Sequence, residues 1–341
     1  MSIVSDIIYN VAILFIMMIP GVILKKTKMI SEGFGKGLSN LVLYIAQPAL
    51  IFLAYIRDFD KLILINSIYV LVFSVVAHSL FAIVALYVFK NGPDAKARML
   101  KFVTIFANAA FMGIPLINAV LEKSYPGSTL YASIYNITFN LFLWSLGVNI
   151  CTKGKDKNKD GVDDYKEVSK LFPSEIDDEK IKDGSGSILK AILHPVTIAA
   201  LAGLVFFILP INNYVPGIVI ESLTMLKNLV APLSMVVIGL RLPDIDFKGI
   251  FKDKSMYIFL ALRHIALPML LLGFMKLVAL IGFDIHPAVS SVVIILASTP
   301  AATSATMFAE KFDCDSAYVS KLVAVSTILC ILTMPLVMLF V

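Results

Sequence analysis

Ten apolar runs alternate with polar segments along the chain, at 4–24, 37–56, 62–89, 99–121, 129–151, 188–209, 216–240, 255–281, 287–309 and 316–341. Most reach the ~20 residues that a helix needs to cross the hydrocarbon of a bilayer. They predict ten membrane-spanning helices, the third and eighth long enough to tilt or overshoot. A polar segment at 152–187 leaves five runs before it and five after it. The expected organisation is therefore a first five-helix unit at 1–151, a connecting loop at 152–187 and a second five-helix unit at 188–341. With the N-terminus outside, the odd-numbered loops hold 23 Lys and Arg residues and the even-numbered loops hold 3; without the long central loop the contrast is 14 against 3. Basic loops stay cytoplasmic. Both termini are thus expected on the extracytoplasmic side of the cell membrane, with the 152–187 loop in the cytoplasm.

The prolines and charges repeat at a nearly fixed offset. Pro48 and Pro232 are 184 residues apart, as are Arg57 and Arg241; Pro115 and Pro300 are 185 apart, and His78 and His264 are 186 apart. Five spans per copy, an odd number, force the two copies into opposite orientations, the arrangement of many secondary transporters. Two of the matched prolines interrupt apolar runs. The fourth run carries "NAAFMGIPLI" from Asn108, with Gly113 and Pro115 in its middle; the ninth carries "ASTPAATSAT" around Pro300. Irregular backbone at membrane depth is tolerated where it is buried in protein or lines a cavity. A pair of Gly/Pro-interrupted spans in corresponding positions is the best sequence pointer to a transporter's binding site. The hydroxyls of Ser298, Thr299, Thr303, Ser304 and Thr306 cluster at the second break, where they can satisfy freed backbone groups or face a polar substrate.

Composition removes other classes. Hydrophobic residues make up 59% of the 341 positions and charged residues 16%, against the ~25% charged of a soluble domain. Mean hydropathy is +0.88. The basic excess lies between apolar runs, where topology uses it, so no nucleic-acid partner is expected. Cys151, Cys314 and Cys330 are widely spaced and suggest neither a disulfide framework nor a metal site. The first apolar run has no basic segment before it, so no cleavable signal peptide is expected. No nucleophile–base pair and no zinc motif is legible, so an enzyme is not expected, and no cofactor.

Charged side chains within apolar runs are functional candidates. They are His78, Lys227, Arg263 and His264, with Glu221 and Lys276 near outer ends and Glu310 at the inner end of the ninth run. Arg263 can grip a carboxylate with two parallel bonds, or it can snorkel or pair with Glu310. Lys227 faces either an outward vestibule or Glu221. His78 and His264 can carry a coupling proton or serve as hydrogen-bonded packing. Asn136 and Asn140 share one helix face, toward a cavity or a neighbouring helix. No Asp lies deep in any run, which disfavours a cation antiporter, and the cationic deep charges favour an anionic substrate.

The two broken runs, with "YNITFNLFLWSLGV" after the first and "MFAEKFDCDSAYVSKLVAVSTILCILTMPL" after the second, resemble the auxin efflux carrier family. The resemblance covers both halves and omits the central loop. It implies secondary transport of organic anions, as by plant auxin carriers and bacterial malate- or malonate-type permeases. The implied fold is all-α, with ten helices in two inverted five-helix repeats, similar to sodium/proton antiporters and bile-acid symporters. Helices 4 and 9 would be interrupted and cross near the midplane. Helices 1, 2, 6 and 7 would form a scaffold, and helices 3–5 and 8–10 a transport domain. Asn108 matches the family's substrate-site Asn, and Pro115 and Pro300 match its crossover prolines.

The expectation is a carrier for a small organic anion, such as a carboxylate or auxin-like acid, working by alternating access. Its substrate site comprises Asn108, Gly113, Pro115, Asn136, Asn140, Arg263, Ser298, Thr299, Pro300 and Thr303, with His78 and His264 as ion-coupling candidates. The expected partners are the anion and the bilayer, and a homodimer is compatible with them. The alternatives are a cation/proton antiporter of the same fold and a non-transporting membrane sensor. One further motif stands apart. "DKNKDGVDDYKE" fits the EF-hand spacing, with Asp156, Asn158, Asp160 and Glu167 in ligand positions. Against it stand Asp163 at a normally apolar position and the lack of clear flanking helices, so a solvated connector is the simpler reading and no metal is expected.

Overall fold

The apolar runs are helical in a computed structural model, which describes residues 3–31, 33–90, 95–152, 192–209, 211, 214–245, 249–312 and 314–341. In chain order the helices are α1 Ser5–Lys26, α2 Phe34–Tyr55, α3 Lys61–Val88, α4 Ala95–Ile105, α5 Ala109–Val120, α6 Ser128–Cys151, α7 Pro195–Ile208, α8 Gly217–Arg241, α9 Lys254–Leu280, α10 Pro287–Ser298, α11 Ser304–Lys311 and α12 Ser316–Met338. Seven of these (α1, α2, α3, α6, α8, α9 and α12) are long and apolar enough to cross a membrane; α5, α7 and α10 are shorter apolar helices. The protein is a polytopic membrane protein. Its outer faces carry side chains suited to lipid, among them the exposed Ile83, Leu280 and Leu332.

Four helices pack on one another through α2–α7, α1–α8 and α2–α8 contacts. The α1–α8 contact is backbone on backbone. A Cβ added at Gly239 would lie 2.1 Å from the Met18 carbonyl oxygen, and one at Gly21 would lie 2.3 Å from that of Val236. Only glycine permits this approach, the small-residue packing that membrane helices use in place of a hydrophobic driving force. The other helices gather round α10, which touches α3, α6, α9 and α12. Almost every side chain of α10 is buried, as its unbroken apolar sequence requires.

Several long helices contain one wide π-turn, and three of these turns end two residues before a proline. They are Val42–Ala46 before Pro48, Ala109–Gly113 before Pro115 and Leu262–Ala266 before Pro268. Proline lacks the N–H and its ring crowds the preceding turn; one extra residue per turn makes room. The fourth run starts earlier than its hydropathy suggests. Lys96, Arg98 and Lys101, read as loop cations, belong to α4, and Arg98 is buried and donates to the Cys151 carbonyl. In the sixth run, expected at 188–209, the helix α7 begins at Pro195, with extended His194 before it. The EF-hand-like stretch at 156–167 lies outside the described residues.

Candidate functional site

The two interrupted spans meet at their breaks. Between α4 and α5 the chain leaves the helix at 106–108, and between α10 and α11 it leaves the helix at 299–303. Ala107 and Ala301 form an antiparallel bridge. The Asn108 N–H donates to the Pro300 oxygen (2.8 Å), and the Ala302 N–H donates to the Phe106 oxygen (2.9 Å). Each break thus supplies the partners that the other lacks, as backbone buried away from water requires. Proline fits at 300 because the crossing uses only its carbonyl. Pro115 is not in the crossing; it lies one turn inside α5. There the Ile114 N–H reaches Ala109 and Pro115 has no N–H, so the Ala110 carbonyl is left over. The Gln47 side chain on α2 takes it, Nε2 donating at 2.6 Å. Gly113 lets the end of α10 close on α5, since a Cβ there would lie 2.5 Å from Leu296.

Arg263 holds the crossing from the other side. It is fully buried. Its Nε and Nη2 donate to the Thr299 carbonyl (3.2 and 3.0 Å), its Nη1 donates to the Thr104 carbonyl (3.2 Å), and the Phe81 ring lies beneath it. Thr104 is in the last turn of α4 and Thr299 caps α10, so one guanidinium serves the C-terminal ends of both half-helices. Those ends carry partial negative charge. Arg263 neither snorkels nor pairs with Glu310, which is exposed.

A cavity of about 1240 Å³ runs from the crossing to the side of the protein that carries Lys25, Lys36, Arg241, Lys321 and Glu310. At its inner end are Ala107, Asn108, Ala302 and Thr303; Gln47, Asn136 and Asn140 form polar wall, and Tyr44, Phe111, Trp144 and Phe308 aromatic wall. Asn108 Nδ2, Asn136 Oδ1 and Gln47 Oε1 are buried without a hydrogen-bond partner among the described residues. The Asn140 amide reaches Thr197 at 3.5 Å. Of the residues singled out from sequence, Asn108, Asn136, Asn140 and Thr303 line this cavity, whereas Gly113, Pro115, Arg263, Ser298, Thr299 and Pro300 do not. Thr299 turns its hydroxyl back to Leu296, and Ser298 is buried with no partner for its hydroxyl among the described residues.

The two histidines are also away from the cavity. His78 bonds the Ser74 carbonyl through Nδ1 (2.7 Å) and packs among Tyr135, Phe139 and Phe142. His264 joins α9 to α12, with Nε2 at 2.8 Å from the Ser326 hydroxyl and Nδ1 at 3.0 Å from that of Thr333. Ser326 in turn accepts from the Ala301 N–H, so His264 touches the crossing through one residue. No ion pair joins Lys227 to Glu221, and Lys276 donates to the Phe340 carbonyl.

A charged cluster lies away from the cavity. Glu122, just past α5, accepts from Arg57 Nη2 (2.7 Å) and from the N–H groups of Gly127 (2.9 Å) and Thr129 (2.7 Å). Gly127 has φ +101°, a left-handed turn suited to glycine. Burial raises the Glu122 carboxyl, but the Gly127 and Thr129 donors and the Arg57 charge outweigh it and hold the group below its ordinary value. Stabilisation from such a depressed carboxyl is complete above its unfolded value, about 4.3, and is lost as pH falls through the lower folded value. The melting difference between wild type and Glu122→Gln in detergent should hold steady from neutral pH to that range and shrink below it. A gap already closing between about pH 7 and 6 would contradict the assignment.

Comparison with known proteins is decisive for the family. A family model described as membrane transport protein matches residues 6–338. The chain belongs to the auxin efflux carrier family of membrane transport proteins. It is also similar to an uncharacterized transporter of Methanocaldococcus jannaschii, 24% identical over 336 residues, with 96% of each chain covered. In this membrane transporter, sequence reasoning missed Gln47 and the cavity side of Arg241. Gln47 stood in plain view as a lone amide beside Pro48 in an apolar run. Arg241 was counted as a loop cation, yet it lines the cavity and donates to the Thr303 carbonyl at 2.6 Å.

Proposed function

We propose that this transporter is a secondary carrier that moves a small organic anion by alternating access, holding the carboxylate beside Asn108 where the two broken spans cross. The observation that carries this reading is the cavity. It reaches the crossing from one side of the protein, ends on an unpaired buried amide, and is lined by Lys25, Lys36, Arg241 and Lys321 against Glu310. The N-terminal ends of α5 and α11 border its floor and add positive potential. Asn136, Asn140 and Thr303 supply further donors, and the aromatic wall suits an apolar body behind the acid group. In this reading the chain forms two inverted five-helix repeats, with ten spans once the broken pairs α4/α5 and α10/α11 are each counted as one crossing. Helices α1, α2, α7 and α8 form the scaffold and the rest the moving domain. Both termini lie outside the cytoplasm.

A ligand that binds only the folded carrier raises its stability, by about 2.7 kcal/mol at a hundredfold excess over Kd. Melting of the purified carrier against mono- and dicarboxylates is therefore expected to single out acids that shift the transition upward in proportion to the logarithm of concentration. Shifts with sodium or pH but with no organic acid would instead support the cation antiporter.

A further inference from the structure

The repeat that relates Arg57 to Arg241 also relates two glutamates. Glu122 and Glu310 are 188 residues apart, each is followed by lysine, and each lies at the far end of the second half of a broken span, Glu122 just past α5 and Glu310 in the last turn of α11. Arg57 lies just past α2 and Arg241 ends α8, both helices of the proposed scaffold, and both glutamates ride on the proposed moving domain. The two pairs differ in state. Arg57 and Glu122 are joined at 2.7 Å, away from the cavity. Arg241 and Glu310 both line the open cavity; Arg241 feels the Glu310 charge across it, but no direct ion pair joins them among the described residues, Arg241 donating to Thr303 and Glu310 being exposed.

We infer that these two Arg–Glu pairs are alternating gates, one closed and one open in this state, which exchange when the carrier turns its site to the other side of the membrane. The inference rests on the alternating-access reading. The closed gate explains why Glu122 is held by three donors at once. A carboxylate fixed by Gly127 and Thr129 on its own domain presents a rigid acceptor to which Arg57 docks and from which it parts. The open gate explains why an exposed glutamate shares a cavity mouth with cations that otherwise suit an anion. Glu310, which acts on Arg241 only across the cavity in this state, docks on it as a direct ion pair once the mouth closes and the anion route on that side is shut. A device of this kind biases two states through the charge contacts each one makes.

Spin labels at Ile218→Cys on α8 and Lys123→Cys beyond α5, in lipid nanodiscs, report the separation of the two domains on the side of the Arg57–Glu122 pair; Cys314, the half-buried native thiol, is replaced by alanine in all variants. Glu122→Gln and Arg57→Gln are each expected to raise the ratio of long to short distances about five- to tenfold. Glu310→Gln added to Glu122→Gln should bring the ratio back down severalfold, because the opposite gate can no longer close. Glu310 makes no hydrogen bond or direct ion pair among the described residues, so this second variant leaves the fold described here intact. Two distances whose ratio ignores all three substitutions would overturn the gates and leave alternating access standing. A single distance in every variant would remove alternating access and the gates with it.

Discussion

Arg263→Met is expected to destabilise the transporter by about 2–5 kcal/mol and to abolish transport. The methionine fills most of the apolar volume over Phe81, so packing changes little. What disappears is the only donor set that the Thr299 and Thr104 carbonyls have among the described residues. Each becomes a buried acceptor without a partner, at about 1–3 kcal/mol apiece, and two negative helix ends then face each other uncompensated. Lysine keeps the charge but not the fork that reaches both carbonyls, so Arg263→Lys should fall between. Melting temperature in detergent and substrate flux should fall together along the series from Arg to Lys to Met. A methionine variant as stable as wild type would show that the guanidinium does not hold the crossing.

Asn108→Ala should behave in the opposite way. Both main-chain groups of Asn108 are committed, the N–H to Pro300 and the carbonyl to Met112 and Gly113, and alanine keeps them. The side-chain nitrogen has no partner among the described residues, so its removal takes no bond from the fold, and stability should stay level or rise slightly. Transport should suffer, because a hydrogen bond to a charged group contributes about 1.5–3 kcal/mol, roughly ten- to a hundredfold in apparent affinity for the anion. Loss of flux without loss of stability distinguishes a substrate ligand from a brace, and sets Asn108 apart from Arg263.

The helices were legible in the sequence because apolar runs of sufficient length admit little else, and the two breaks were legible because a proline interrupts each of the two runs at a repeat-related position, with Gly113 beside the first. The family was legible from the same stretches. Less visible was what each broken residue does. Proline at 300 and proline at 115 look equivalent in sequence, yet one gives its carbonyl to the crossing and the other widens a turn inside α5. The partner of Pro115's left-over carbonyl is Gln47, 63 residues before Ala110, and no local pattern links them. Arg263 suggested an anion grip, a snorkelling cation or a partner for Glu310, because a deep guanidinium suits a carboxylate. Its acceptors are backbone carbonyls released only when both spans break, one of them 159 residues away, and sequence carries no mark of a carbonyl set free. The hydroxyl cluster divides for a similar reason. Thr303 lies past the crossing and meets the cavity, while Ser298 and Thr299 end a helix that is buried on every side.

Uptake of a labelled carboxylate, chosen as an acid that raises the melting temperature, into liposomes holding matched amounts of wild-type and Asn108→Ala protein tests most directly whether the cavity at the crossing is the transport site. Saturable uptake by wild type, blocked by excess unlabelled acid and at least about tenfold weaker in the variant at low substrate concentration, is the predicted result. Equal uptake kinetics in the two proteins would contradict it.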